Sequence, residues 1–212
     1  MIFQQVPSGG DRNFGYVLGC ERTKLAAVVD PSPEPQLCYD KVREYGLEVI
    51  YVIDTHTHFD HTGGNDFFAR RTGAKIITHK TAPFGDIRVE DGQTLSLGQI
   101  TLYFIHTPGH SYDCMCILAE KELMSGDTLF VGKVGGTSTR EQAKKEFDSL
   151  RKLMTLDGDV RVWPGHDYGT APSSTVEKEL KTNPFLLRLN NFENFVDLKD
   201  NWLAYKEEHG IL

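Results

Sequence analysis

Cysteine is scarce: four in 212 residues, at Cys20, Cys38, Cys114 and Cys116. So few thiols provide no disulfide framework, and they point to a reduced, cytoplasmic protein. No apolar run approaches the roughly 18 residues of a membrane span. The opening residues, MIFQQVPSGGDRNFG, have neither the basic start nor the apolar stretch of a secretion signal. Positive charge is in deficit, with 23 Lys and Arg against 30 Asp and Glu and a net charge of −7. An acidic surface repels phosphate backbones, so neither nucleic acid nor a membrane is an expected partner. A small acidic substrate remains admissible, because a bound divalent ion can dominate the local field. The remaining composition, 39% hydrophobic and 25% charged, is that of an ordinary globular chain. Its length suffices for one domain with a sizeable core, and residues 1–212 are read as one domain, a monomer or homodimer.

Short apolar runs broken by turn signals dominate the first half. Phe14–Cys20 and Leu25–Val29 read as strands joined by a polar turn, the second ended by Asp30-Pro31-Ser32-Pro33. Pro35–Tyr45 reads as a helix with Leu37, Val42 and Tyr45 on one side, closed by Gly46. Val49–Ile53 is a continuous apolar run and reads as a buried strand. Asn65–Arg71 is a helix, and Lys75–Thr78, Thr94–Leu97, Ile100–Ile105, Cys114–Leu118, Glu122–Ser125 and Val160–Trp163 are strands. Ser138 with Glu141, and Ser174 with Glu177, match the capping-box pattern. Ala143, Phe147, Leu150 and Met154 recur at helical spacing. The last thirty or so residues read as a short helical extension, with Trp202 and Tyr205 packing back onto the body. Two groups of strands with helices between and after them predict two sheets face to face with helices outside.

Against this plain background, three of the eight histidines fall in one short segment, Thr55-His56-Thr57-His58-Phe59-Asp60-His61, directly after the strand Val49–Ile53. Histidine is the commonest metal ligand, and carboxylate suits hard divalent ions. His56, His58 and Asp60 would share one face of a strand, whereas His58 and His61 would be neighbours on a helix. A strand turning into a helix can therefore aim pairs of ligands at two adjacent points, and Gly63-Gly64 is expected to supply the freedom for that turn. Two further histidines follow apolar runs in matching contexts, Pro108-Gly109-His110 and Pro164-Gly165-His166, and Asp127 follows the run Glu122–Ser125. His79 and His106 flank strands and are read as neighbours of the site or surface residues. Cys114 and Cys116 read as small core residues. Asp54 is expected to hydrogen-bond a ligand histidine.

These residues, His56-x-His58-x-Asp60-His61 followed in order by His110, Asp127 and His166, resemble the metallo-β-lactamase superfamily. The resemblance implies an αββα sandwich, an α/β fold of two mixed sheets with outer helices and a metal site at one edge. It also implies that His56, His58 and His110 bind a first divalent metal ion, that Asp60, His61 and His166 bind a second, and that Asp127 bridges both. Two cations need compensating negative charge, which makes Asp60 and Asp127 the expected catalytic carboxylates. Nitrogen and oxygen ligands admit Zn, Fe and Mn, with Zn favoured. Metal binding lowers the pKa of water from 15.7 to about 7, which gives a nucleophile at neutral pH.

Within that superfamily, a bridging Asp127 is typical of the glyoxalase II-like branch. Ser125–Phe130, Pro164–Gly169 and Thr182-Asn183-Pro184-Phe185-Leu186 are similar to glyoxalase II and persulfide dioxygenase sequences. The first resemblance implies a metal-dependent hydrolase that cleaves a thioester such as a hydroxyacylglutathione. The second implies a mononuclear Fe(II) persulfide dioxygenase with iron on His56, His110 and Asp127. A metal-binding protein without turnover is a third reading, opposed by the full ligand set. Tyr168 matches a glutathione-contacting tyrosine of the family. The cation that normally meets glutathione is replaced by Gly136, for which Lys133 is the candidate substitute. The segment after His166 is also shorter than the helical C-terminal domain of typical glyoxalase II.

Overall fold

A computed structural model describes residues 1–210; residues 211 and 212, at the end of the expected helical extension, lie outside the described part. The first half of the chain builds one six-stranded sheet from β1 (Ile2–Pro7), β2 (Phe14–Gly19), β3 (Leu25–Val29), β4 (Glu48–Ile53), β5 (Lys75–His79) and β6 (Ile87–Val89). Its spatial order follows the sequence. The β1/β2 and β2/β3 pairs are antiparallel, while β3/β4, β4/β5 and β5/β6 are parallel. Two of the three parallel steps are crossed by helices: α1 (Pro35–Glu44) between β3 and β4, then α2 (Phe59–Thr62) and α3 (Asn65–Thr72) between β4 and β5.

The second sheet uses β7 (Thr94–Leu97), β8 (Ile100–His106), β9 (Met115–Ala119) and β10 (Glu122–Gly126). A small hairpin, β11 (Leu129–Phe130) with β12 (Lys133–Val134), follows, and then α4 (Arg140–Leu153). β13 (Arg161–Pro164) and β14 (Ser174–Thr175) complete the sheet in the order β14-β13-β10-β9-β8-β7. The chain ends in α5 (Val176–Thr182), a 3-10 turn at Leu186–Arg188, α6 (Phe192–Asp200) and α7 (Trp202–His209).

Strand alternation sorts side chains into three cores. Phe14, Tyr16, Leu18, Ala27, Val29, Ile53 and Ile77 face Leu102, Phe104, Met115, Ile117 and Met124 between the sheets. Their sequence neighbours Val17, Ala26, Val28 and Val52 point the other way, against Cys38 and Val42 of α1 and Phe68 of α3. On the far side of the second sheet, Ile105, Cys116, Leu123 and Val162 pack against Phe147 and Leu150 of α4, Phe185, and Phe195 of α6. The result is four layers, helix–sheet–sheet–helix, as the sequence pattern predicts. Trp202 and Tyr205 pack on this last core as expected, with the Trp202 ring 4.8 Å from that of Phe185.

Several local expectations change. On α1 the buried side chains are Cys38 and Val42, while Leu37 is exposed, so the inward stripe is rotated by one residue. The cap of α4 is Thr139, whose hydroxyl accepts from Gln142 N, and Gln142 Oε1 accepts from Thr139 N, one residue later than the Ser138–Glu141 pattern. The cap of α5 is Thr175, which accepts from Lys178 N; Ser174 belongs to β14. Among the described residues no helix is long and apolar enough to cross a membrane.

Candidate metal centre

The C-terminal ends of β3, β4, β8, β10 and β13 meet at one edge of the sandwich. Backbone bonds lock that edge: Met115 N donates to Thr55 O and Phe14 N to Gly165 O across the sheets, both at 2.8 Å, and Gly165 N donates to Gly126 O at 2.8 Å within the second. His56 and His58 leave the end of β4 in an extended loop, and Asp60 and His61 sit on the single turn of α2. His110, Asp127 and His166 follow β8, β10 and β13. The Gly63-Gly64 pair does not act through unusual dihedrals. Gly63 has φ −59° and Gly64 φ −89°, both open to any residue. The requirement at Gly64 is room, since a Cβ there would lie 1.9 Å from the Pro31 carbonyl oxygen. Gly165 is fixed in the same way: a Cβ would stand 2.4 Å from Asp127 Oδ1 and 2.9 Å from His61 Cε1.

All seven residues singled out by the motif come together. Ligand atoms of His56, His58 and His110 lie within 4.8 Å of one another, as do those of Asp60, His61 and His166, and of His56, His61 and Asp127. Each of the last two groups therefore shares His61, and Asp127 stands between the two ends. The closest approaches are uniform. His56 Nε2 and His110 Nε2 are each 3.0 Å from His58 Nδ1, and His61 Nε2 is 3.3 Å from His166 Nε2. Asp60 Oδ2 is 3.4 Å from His166 Nε2 and 3.6 Å from His61 Nε2, and Asp127 reaches His61, His110 and His166 at 3.5, 3.6 and 3.5 Å. Ligands about 2.1 Å from a tetrahedral ion are about 3.4 Å apart, so these separations fit the edges of a metal's coordination shell. A second observation agrees. Asp127 is buried, yet its Oδ1 has no hydrogen-bond partner, an expensive arrangement unless a cation faces it.

The ring nitrogens not aimed inward are committed elsewhere. His110 Nδ1 donates to Gly136 O at 2.8 Å, His166 Nδ1 to Asp11 O at 2.9 Å, and His61 Nδ1 to Asp30 Oδ2 at 2.9 Å. Each such bond holds a proton on Nδ1, so that Nε2 is the nitrogen left to face a cation. Asn13 Nδ2 steadies Asp60 Oδ2 at 3.1 Å. Burial, then the neighbouring His61, holds the His56 pKa well below its ordinary value, and burial also depresses that of His110. For Asp127, burial opposes ionisation, but the His166 hydrogen bond and the His61 charge outweigh it and pull the carboxyl below its usual range. Burial likewise opposes charge on His61, yet Asp30, Asp127 and Asp60 lift its pKa to about 9. A metal ion at His61 would therefore compete with a proton for the ring.

Asp30 and Asn13 are functional neighbours that the sequence reading missed. Asp30 was visible only as the end of a strand, although a carboxylate following an apolar run is the pattern that marks Asp127. Asp54, expected to hold a ligand histidine, instead accepts from Asn65 Nδ2 at 2.7 Å and makes no hydrogen bond to a histidine among the described residues. Asp30 takes that role because β3, not the residue after β4, faces His61. His79 and His106 stack on each other, ring centres 3.7 Å apart and 6° from parallel. Cys114 and Cys116 are buried, and burial pushes the Cys116 thiol up to about 11. Tyr168 lies parallel on His166 at 4.7 Å, and its hydroxyl donates to Asp11 Oδ2 at 2.5 Å. Lys133 is outside the cluster, its ammonium 4.7 Å from the centre of the Tyr168 ring.

Comparison with known proteins agrees with this geometry. The family model described as the metallo-beta-lactamase superfamily matches residues 10–84 and 79–166. A hydroxyacylglutathione hydrolase of Polaromonas sp. is 34% identical over 179 residues, 79% of this chain and 67% of the relative. The mitochondrial persulfide dioxygenase ETHE1 of Homo sapiens is 32% identical over 199 residues, 89% of this chain and 76% of the relative. The crystal structure of ETHE1 from Myxococcus xanthus superposes with a TM-score of 0.88 at 29% identity, covering 95% of this chain and 91% of that one. With its family model matched over most of its length, the chain belongs to the metallo-beta-lactamase superfamily.

Proposed function

We propose that the chain is a two-metal hydrolase that cleaves a thioester, in the manner named for its hydroxyacylglutathione hydrolase relatives. The observation that carries this reading is the complete second ligand group, Asp60 with His61 and His166, beside the first group of three histidines. A bound pair of divalent ions supplies Lewis acidity and water acidified to a pKa of about 7. The chain's own residues do the rest. Asp127 and Asp60 offset the positive charge, Asp127 from between the groups and Asp60 from the more exposed side. The bonds from Asp30, Asp11 O and Gly136 O keep three imidazoles turned inward. A thiolate with a reference thiol pKa near 8.5 leaves without a general acid.

A second reading, oxidation of a persulfide at one iron held by His56, His110 and Asp127, is supported by the similarity to ETHE1 proteins and by the 3.6 Å approach of His110 to Asp127. One experiment separates the two. Purified protein loaded with Zn, Fe or Mn is assayed for metal content, for thiol release from S-lactoylglutathione and other acyl thioesters, and for oxygen uptake with glutathione persulfide. The hydrolase reading expects two ions per chain, thiol release and no oxygen uptake. One iron per chain with oxygen consumption and intact thioesters overturns it. Asp127→Ala is expected to lose about 100- to 1000-fold in turnover, by analogy with loss of a charge-stabilising group.

A further inference from the structure

A cavity of 690 Å³ opens beside the metal centre, divided from it by the Tyr168 ring that stacks on His166. Its walls gather four cations from distant parts of a chain whose net charge is −7: Arg12 from the loop before β2, Lys133 from β12, Lys178 from α5 and Lys206 from α7. Elsewhere on the surface most lysines are matched to carboxylates, as in Lys144–Asp148, Lys145–Glu141 and Lys181–Glu177, although among the described residues Lys24 and Lys75 are not. Among the described residues no such ion pair is made by Lys133, Lys178 or Lys206. Lys133 has ring neighbours instead, Phe130 at 5.7 Å and Tyr168 at 4.7 Å. Arg12 is 4.8 Å from the same Tyr168 ring, and its carboxylate neighbour, Asp11 at 3.9 Å, also receives the Tyr168 hydroxyl. Burial, then Lys206 and Arg12, push the Lys133 ammonium below its ordinary pKa, so these cations feel one another's charge.

Like charges gathered in excess of their carboxylate neighbours cost stability and mark a place suited to an anion. The acid in the wall, Glu179, makes no ion pair with them among the described residues. Its Oε2 accepts from Gly132 N and Asn183 Nδ2, both at 2.9 Å, and so fixes the turn that presents Lys133. Its Oε1 is buried with no hydrogen-bond partner among the described residues. Trp202, half-buried, adds an apolar surface. Four cations exceed what a thioester of a tripeptide requires, whose carboxylates and ammonium sum to about one negative charge. They suit phosphate groups, each carrying up to two charges and several acceptor oxygens. The position expected to meet a tripeptide carboxylate is Gly136, and its carbonyl is already taken by His110.

We propose that this cavity binds the phosphate-bearing part of the substrate's thiol carrier, so that the thioester presented to the metals is that of a phosphorylated thiol. The inference rests on the hydrolase reading for the reaction, but the binding site stands on its own residues. In the reaction, the oxygen of water bonds to the acyl carbon and the C–S bond breaks. A carboxylic acid and a free thiol result, and no oxidant or reductant is needed.

Binding is measured apart from turnover by calorimetry on the metal-loaded protein. The probe is S-methyl coenzyme A, a thioether that cannot be hydrolysed, compared with S-methylpantetheine, which lacks phosphate. The expected result is that the phosphorylated thioether binds at least about tenfold more tightly, a difference that shrinks as salt screens the cations. Lys178→Glu with Lys206→Glu, both at solvent-accessible positions, is expected to erase most of that difference; Lys206→Gln serves as the milder control. Equal binding of the two thioethers, or an unchanged difference in the charge-reversed protein, overturns the proposal. Tight, salt-sensitive binding with no hydrolysis of acetyl-coenzyme A supports the site and instead overturns the hydrolase reading.

Discussion

Asp30 turns the end of a strand into part of the candidate metal centre. It is buried, with a backbone φ of 45°, in the left-handed region. Oδ1 accepts from Thr55 N at 2.8 Å, and Oδ2 accepts from Thr55 Oγ1 at 2.6 Å and from His61 Nδ1 at 2.9 Å. Asparagine tolerates that backbone conformation, so Asp30→Asn isolates the side-chain chemistry. The amide must either turn its NH₂ toward the His61 N–H or give up an acceptor to Thr55. In the first case His61 changes tautomer, and its Nε2 carries a proton instead of a free lone pair. Metal affinity is expected to fall about 10- to 100-fold, as it does when such orienting partners are removed. A competition titration against a chelator checks this; affinity within about twofold of the parent would show that Asp30 is only structural. The seven motif residues were legible because their types and spacing are rare. Asp30, Asn13 and the carbonyls of Asp11 and Gly136 were not, because what recruits them is proximity across strands, which a linear pattern does not contain.

At the scale of elements, strands were legible where an apolar run was continuous, as at Leu25–Val29 and at Val49–Ile53 within β4. The edge strand β1 carries Gln4 and Gln5, and β11, β12 and β14 have two residues each, too short for any period to register. Caps shifted by one residue because Ser138-Thr139-Arg140-Glu141-Gln142 contains two overlapping capping boxes, and only packing of α4 selects between them. The His79–His106 stack joins β5 of the first sheet to β8 of the second, a contact between elements that no sequence pattern announces. Burial, then the facing His106 and Lys80, hold the His79 pKa down at about 4. A ring whose folded pKa lies below its unfolded value of 6.5 takes up protons more readily when unfolded. Its contribution to stability is complete above pH 6.5 and is lost as pH falls from 6.5 toward 4. His79→Phe keeps a flat ring in the stack but cannot titrate. Its melting temperature is expected to fall less steeply than the parent's between pH 6.5 and 4, while the two profiles run parallel above pH 7. Parallel profiles throughout would remove His79 from the acid response.

For the whole molecule, the proposed ligands come from both halves of the sandwich: His56, His58, Asp60 and His61 follow β4 of the first sheet, and His110, Asp127 and His166 follow strands of the second. A metal pair at that edge would therefore clamp the sheets together where their strands end. Cations held only by the folded arrangement stabilise it by mass action, about 4 kcal/mol at a thousandfold excess over the dissociation constant. For a domain of this size each kcal/mol moves the melting temperature by about 2–4 °C. Stripping the metals with a chelator is thus expected to lower it by about 10 °C, in one transition that involves both sheets. Asp127→Ala, which removes the ligand between the two groups, should already melt lower and respond far less to the chelator. A parent protein whose melting temperature moves by less than about 2 °C on complete metal removal would show that the apolar core between the sheets holds this edge closed without help. In that case the seven side chains would contribute to chemistry alone and not to the fold.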